Sequence, residues 1–143
     1  MEIVVAILIE WLALNTDVNL NSFPRVEVVR HSEMVDMSGM DAYGLYNWEE
    51  KKIYISNRVD LTRMQGISIV LHELIHHHQN VSGLLDSYDC KRQSEVLAYE
   101  LQKQFLTSMN ASLTLELDSM HVTMSSTCFA SDSVARKTGS EKE

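Results

Sequence analysis

The sequence predicts a single α+β domain in which three main helices pack on a small, mostly antiparallel sheet. Long segments with helical apolar spacing alternate with short β-branched runs, which is typical of mixed helices and strands. The 143 residues suffice for one hydrophobic core but not comfortably for two. A composition of 45% hydrophobic and 22% charged residues is that of a folded globular protein. We expect the domain to occupy residues 1–130, followed by a polar, disordered tail over 131–143.

The first half of the chain is expected to contain one helix and three strands. Residues 3–15 are apolar nearly all round, which indicates a helix buried in the core. The β-branched run 26–29 predicts a short strand, and a loop is expected around residues 37–41. Residues 42–46 and 52–56 are expected to form a hairpin because a short polar segment separates them.

Two long helices are expected in the second half. The first begins near Asp60 or Thr62 and ends near Asn80. Its apolar residues recur at the spacing of a core-facing stripe: Ile67, Val70, Leu71, Leu74 and Ile75. The second covers residues 91–109 and contains neither Gly nor Pro. Residues 112–129 fit both a strand and a helix pattern, and a short helix is favoured.

Charge and cysteine content restrict the partners and the compartment. The formal charge of −8, with no stripe of Lys or Arg, argues against nucleic acid and anionic membranes as partners. The apolar segment 3–14 is too short to span a hydrocarbon core of about 30 Å. Cys90 and Cys128 permit one disulfide, which would indicate an exported or periplasmic protein, whereas two free thiols would suit a cytoplasmic one. The oligomeric state is left open.

The stretch His72-Glu73-Leu74-Ile75-His76 carries the clearest chemistry. Histidines four residues apart lie on one face of a helix, so both imidazoles can converge on a zinc ion. A catalytic zinc site needs a third protein ligand and leaves its fourth position to water. Glu73 lies beside the first ligand and suits the role of general base. The alternative is an ordinary surface helix with hydrogen-bonded histidines.

The third ligand is expected on the following helix, where Glu95 and Glu100 are the candidates. Five residues apart, they point about 140° away from each other, so only one can face the metal. The face of Glu95 is mostly apolar or small, and carries Ala98, Tyr99, Gln102 and Leu106. The face of Glu100 is polar, and carries Lys103, Gln104 and Thr107. Glu95 is therefore the predicted ligand.

Other polar residues near the motif are assigned smaller roles. Gln79 lies on the metal side of the helix and is a candidate to hydrogen-bond a ligand. His77 and His78 turn away from the metal and are expected on the helix surface. The candidates to stabilise an oxyanion are Tyr46, Tyr99 and His121, and for each of them a packing or surface role is favoured.

The motif helix followed by Glu95-x-x-Ala98-Tyr99-x-x-Gln102 resembles the minigluzincins, small members of the gluzincin group of zinc peptidases. The resemblance covers roughly residues 7–106 and implies a zincin-like catalytic subdomain. It also implies one Zn²⁺ ion held by His72, His76 and Glu95, with Tyr99 as a supporting residue. An edge strand carrying Tyr43, Gly44 and Leu45 would pair with the substrate; the alternative is an ordinary edge strand.

These observations predict a zinc-dependent peptidase that hydrolyses peptide bonds through a zinc-bound water, with Glu73 as general base. Its partner would be a peptide or protein substrate. The alternative is a catalytically weak or inactive zinc-binding domain that binds an extended peptide, or that has a structural or interaction role.

Overall fold

A computed structural model describes residues 1–111 of the chain. The described part is an α+β fold with four α-helices and three strands, which confirms the predicted fold class. The helices are α1 (Glu2–Asn15), α2 (His31–Ser38), α3 (Met64–Val81) and α4 (Ser94–Ser108). The strands are β1 (Arg25–Val29), β2 (Gly44–Asn47) and β3 (Lys52–Ser56). Two short 3₁₀ helices, Leu84–Ser87 and Lys91–Gln93, connect α3 to α4.

The sheet is mixed, so the prediction of a mostly antiparallel sheet was wrong. Its strand order is β1-β3-β2, with β1 parallel to β3 and β2 antiparallel to β3. The difference arises at α2, which was not predicted and ends inside the loop expected at 37–41. This helix carries the chain from β1 to the opposite edge of the sheet, where β2 forms. The hairpin of β2 and β3 then places β3 between β1 and β2. As a result, β2 is an edge strand.

The two faces of the sheet are covered by different helices. The larger core lies on the side of α1, α3 and α4, and includes the fully buried Ile53 and Ile55 of β3. On the opposite side, Met34 of α2 packs with Val29 and Leu45. The sequence did not reveal α2 because Met34 is its only buried apolar residue and makes no repeating stripe.

The helix α1 is only partly buried. Its inner residues are Val5, Leu8, Trp11 and Leu12, and the Trp11 ring meets Phe105 of α4 edge-on at a centroid distance of 5.3 Å. Ile3, Ile7 and Leu14 are exposed in the described part of the chain. The expectation of a wholly buried helix is therefore wrong for its outer face. Within residues 1–111, the helices are too short or too polar to cross a bilayer.

Several predictions concern residues beyond 111, which lie outside the described part of the chain. These are the short helix within 112–129, the tail 131–143 and the role considered for His121. The Cys90–Cys128 disulfide also involves a residue outside it, although Cys90 itself is fully buried. The pairing and the compartment that depends on it stay predictions, as does the domain boundary at residue 130.

Candidate metal centre

The predicted ligands, His72, His76 and Glu95, lie together between α3 and α4. One turn of α3 places the rings of His72 and His76 at a centroid distance of 4.9 Å. Glu95, in the first turn of α4, brings its Oε2 to 3.2 Å from His72 Nε2 and its Oε1 against His76 Nε2. The candidate ligand atoms all lie within 4.8 Å of one another. Glu100 is exposed, as its polar face predicted.

Gln79, predicted to hydrogen-bond a ligand, fixes the orientation of the His76 ring through two hydrogen bonds. Its Nε2 donates to the backbone carbonyl of Ser94 at 2.9 Å. Since a carbonyl oxygen only accepts, this contact turns Gln79 Oε1 towards His76 Nδ1, at 3.0 Å. His76 Nδ1 must then carry a hydrogen, and Nε2 faces the other two ligands.

Gln102 does the same for His72, and this role was not predicted. The Ser68 hydroxyl donates to the Gln65 carbonyl at 2.6 Å, so its oxygen accepts from Gln102 Nε2 at 3.0 Å. Gln102 Oε1 therefore faces His72 Nδ1, also at 3.0 Å. Both imidazoles are thus held with Nε2 towards Glu95 by buried, uncharged amides. The face shared by Glu95 and Gln102 on α4 was the sequence signal for this contact.

Replacing Gln102 by Leu is expected to weaken zinc binding by about 10- to 100-fold, the range for loss of a hydrogen bond to a metal ligand. The change leaves the His72 ring without the acceptor that orients it. Gln104→Leu, on the exposed side of the same helix, is the matched control. Competition with a chromogenic chelator measures both affinities, and equal affinities for the two variants would contradict the assigned role.

The electrostatics of the cluster favour a cation between the three side chains. Burial alone would raise the pKa of the Glu95 carboxyl, but His76 and His72 hold that pKa well below its usual range. Burial likewise opposes protonation of His72, yet the Glu95 carboxylate raises the His72 pKa. Since each Nδ1 already carries a hydrogen, each contact between Nε2 and the carboxylate needs either a second proton or a metal ion.

The donor set fits a divalent transition metal. Two imidazole nitrogens and one carboxylate are the protein ligands found in one class of catalytic zinc sites. Glu95 Oε1 is buried against His76 Nε2, and a carboxylate oxygen and an imidazole nitrogen are both atoms that bind such a metal. Binding of an ion would release the protons held between the rings and the carboxylate. The described residues thus form a possible metal-binding site.

Glu73 lines the same cleft as the three ligands. The cleft has a volume of about 500 Å³ and is bounded by α3, α4 and the segment from Ser38 to Leu45. Glu73 is 6% exposed, and its carboxylate lies against the backbone of Gly44. A Cβ at Gly44 would stand only 2.9 Å from Glu73 Oε2, so a glycine here lets β2 approach the carboxylate closely.

Among the described residues, β2 is an edge strand, and its partly exposed Gly44 lies beside this cleft. The Tyr43 carbonyl accepts from Ser56 N at 2.9 Å, and pairing with β3 continues through Asn47. Because backbone groups alternate along an antiparallel strand, Gly44 and Tyr46 direct their N–H and C=O groups away from β3. Of the predicted edge residues, Gly44 and Leu45 lie within β2, and Tyr43 immediately precedes it.

His77 is buried, so its predicted position on the helix surface was wrong. Its Nδ1 lies 2.8 Å from the Tyr46 hydroxyl, and Asn80 donates to that hydroxyl at 3.0 Å. The side chain of Tyr46 comes from β2 and covers a face of α3 that the helix pattern alone marks as outward. Burial lowers the pKa of His77. His78 is half-buried, and burial lowers its pKa as well.

The oxyanion candidates separate by position. Tyr46 is fully buried against His77, which fits the packing role favoured for it. Tyr99 lies one turn beyond Glu95, lines the cleft and places its ring 4.5 Å from that of His72. Tyr99 therefore contacts a ligand and also faces the space beside the cluster.

Fold and site together define an α+β domain in which two buried histidines and a partly exposed glutamate line one cleft. The chain belongs to the family DUF6647, a domain of unknown function, whose sequence model matches residues 1–134. Neither the curated proteins nor the solved structures contain a match to this chain.

Proposed function

We propose that this protein is a zinc-dependent peptidase with a zincin-like, minigluzincin-type catalytic subdomain. The observation that carries the proposal is the position of Glu73, which shares one cleft with His72, His76 and Glu95. A zinc site that served only folding would need no additional carboxylate beside it, and would usually be closed by four protein ligands.

The side chains divide the chemistry between them. The cluster would hold Zn²⁺ through the Nε2 atoms of both histidines and the Glu95 carboxylate. When bound, a zinc ion polarises a carbonyl group and makes water acidic near neutral pH. Glu73 accepts the proton of the attacking water and returns it to the departing amine as the peptide bond breaks. The buried Glu73 carboxylate suits this role because little bulk water competes for it.

The substrate is proposed to be an extended peptide that adds a strand to β2. The outward N–H and C=O groups of Gly44 would pair with its backbone, and this pairing would hold one peptide bond beside Glu73. The absence of a side chain at Gly44 keeps this approach clear. Backbone pairing would give affinity, and cleft side chains would give selectivity.

The alternative is a zinc-binding domain that binds a peptide without cutting it. Both functions require the metal, and only one requires turnover. Purified full-length protein is expected to contain one equivalent of zinc and to hydrolyse an unfolded protein such as reduced casein.

Metal removal provides the test of this proposal. Dialysis against a chelator is expected to abolish hydrolysis, and stoichiometric zinc is expected to restore it, because the proposed reaction depends on the ion held by His72, His76 and Glu95. Elemental analysis and peptide mass spectrometry measure the two effects. Zinc binding without turnover would support the non-catalytic alternative, and a metal-free, inactive protein would refute both.

A further inference from the structure

The mouth of the cleft carries a second polar arrangement, centred on Asp41. This residue lines the cleft, and its side chain is 74% exposed. Its Oδ1 lies 2.6 Å from Nε2 of His31, a histidine that is itself 8% exposed. The buried His31 imidazole thus fixes the position of an exposed carboxylate at the mouth of the cleft.

The hydrogen-bond partners of His31 accommodate a neutral ring beside the Asp41 carboxylate. A carboxylate only accepts, so His31 Nε2 donates to Asp41. On the other side of the ring, His31 Nδ1 lies 2.8 Å from the Ser56 hydroxyl, which also accepts from Arg58 N at 3.1 Å. The Ser56 hydroxyl can therefore donate its own hydrogen to Nδ1 and leave the ring neutral. Ser56 is 1% exposed, which excludes it as a nucleophile.

The surroundings of Asp41 suit a long cationic side chain. Met40 and Tyr43 also line the cleft and are 65% and 42% exposed. The Tyr43 ring stacks on His31 at a centroid distance of 5.1 Å, so the same histidine orders both the carboxylate and the ring. Lys and Arg side chains cover apolar surface with their aliphatic stems while the charged end reaches a polar group.

The charge balance of the cleft also favours a cationic side chain beside Asp41. A divalent ion would offset Glu73 and Glu95, which leaves Asp41 as the uncompensated charge. Among the described residues that line the cleft, Lys and Arg do not occur. We infer that Asp41 is a specificity-determining residue that selects a Lys or Arg side chain of the bound peptide, with His31 as its positioning residue. This inference rests on the proposed peptide-binding function.

Peptide binding to the full-length, zinc-loaded Glu73→Gln variant tests the inference without requiring turnover. The probes are fluorescent, unstructured peptides in which a single Lys is moved along the chain, each matched by a Gln and a Glu version. At one position, Lys is expected to bind about three- to fivefold more tightly than Gln, the effect of an ion pair at an exposed site. The preference is expected to vanish at about 1 M salt, where the screening length is about 3 Å.

Asp41→Asn is expected to abolish the preference, and Asp41→Lys to reverse it in favour of Glu. Asp36→Asn removes an equal charge from the exposed side of α2 and should leave the preference intact. His31→Phe keeps a ring against Tyr43 and should weaken the preference without removing it. Equal binding of the Lys and Gln peptides, or no peptide binding at all, would overturn the inference. Lys selection by the Glu73→Gln variant, together with no hydrolysis by the unchanged zinc-loaded protein, would instead overturn only the proposed catalysis.

Discussion

Glu73→Gln is expected to lower the rate of peptide hydrolysis by a factor of about 10²–10⁴, the usual contribution of a general base. Glutamine preserves the shape of the side chain and its position against Gly44, but its amide cannot take a proton from water. The zinc content should not change because Glu73 is not among the three converging ligands. Single-turnover hydrolysis and elemental analysis of the same sample measure the two quantities.

Glu10→Gln is the matched control for this experiment. It removes the same charge from an exposed position of α1 that does not line the cleft. Its hydrolysis rate should equal that of the unchanged protein. If Glu73→Gln retained full activity with zinc bound, Glu73 would not be the base. If instead the zinc were lost, Glu73 would belong among the groups that hold the metal.

The local sequence pattern was sufficient to predict that His72, His76 and Glu95 lie together. Helical spacing fixes the distance between His72 and His76 because the backbone repeats every turn. The choice of Glu95 over Glu100 needed only the two faces of α4, since one is apolar and the other polar. Both inferences depend on the spacing of residues within single helices, and this spacing can be read directly from the sequence.

The parallel pairing of β1 with β3 depends on long-range arrangement and could not be predicted in the same way. Nothing within β1 or β3 specifies a parallel neighbour; that pairing follows from where α2 delivers the chain. The burial of His77 has a similar origin, because its cover comes from Tyr46, 31 residues earlier. A helical wheel assigns such a residue to the surface because it does not include the strand that packs over it.

The role of Gln102 could be predicted only in part from the sequence. Its presence on the face of Glu95 was visible in the sequence, but its function depends on Ser68, 34 residues earlier. The Ser68 hydroxyl settles which end of the amide meets His72. Polar networks of this kind join residues from different helices, so their roles become evident only when the helices are packed together.

Glu95→Gln is expected to reduce zinc affinity by more than about 100-fold, beyond the 10- to 100-fold range for groups that only support a ligand. The amide keeps nearly the same volume but lacks the charge that the ion and both imidazoles face. Because the Glu95 pKa is held well below its usual range, the carboxylate is ionised at neutral pH, and the full charge is lost in the variant.

The control for Glu95→Gln is Glu100→Gln, five residues further along α4 and exposed. Chelator competition measures both zinc affinities, and circular dichroism of the metal-free proteins checks that each variant folds. If Glu100→Gln lost zinc and Glu95→Gln retained it, the assigned face of α4 would be wrong. If neither lost zinc, the ion would not be held between α3 and α4, and the catalytic arrangement around Glu73 would have no metal to serve.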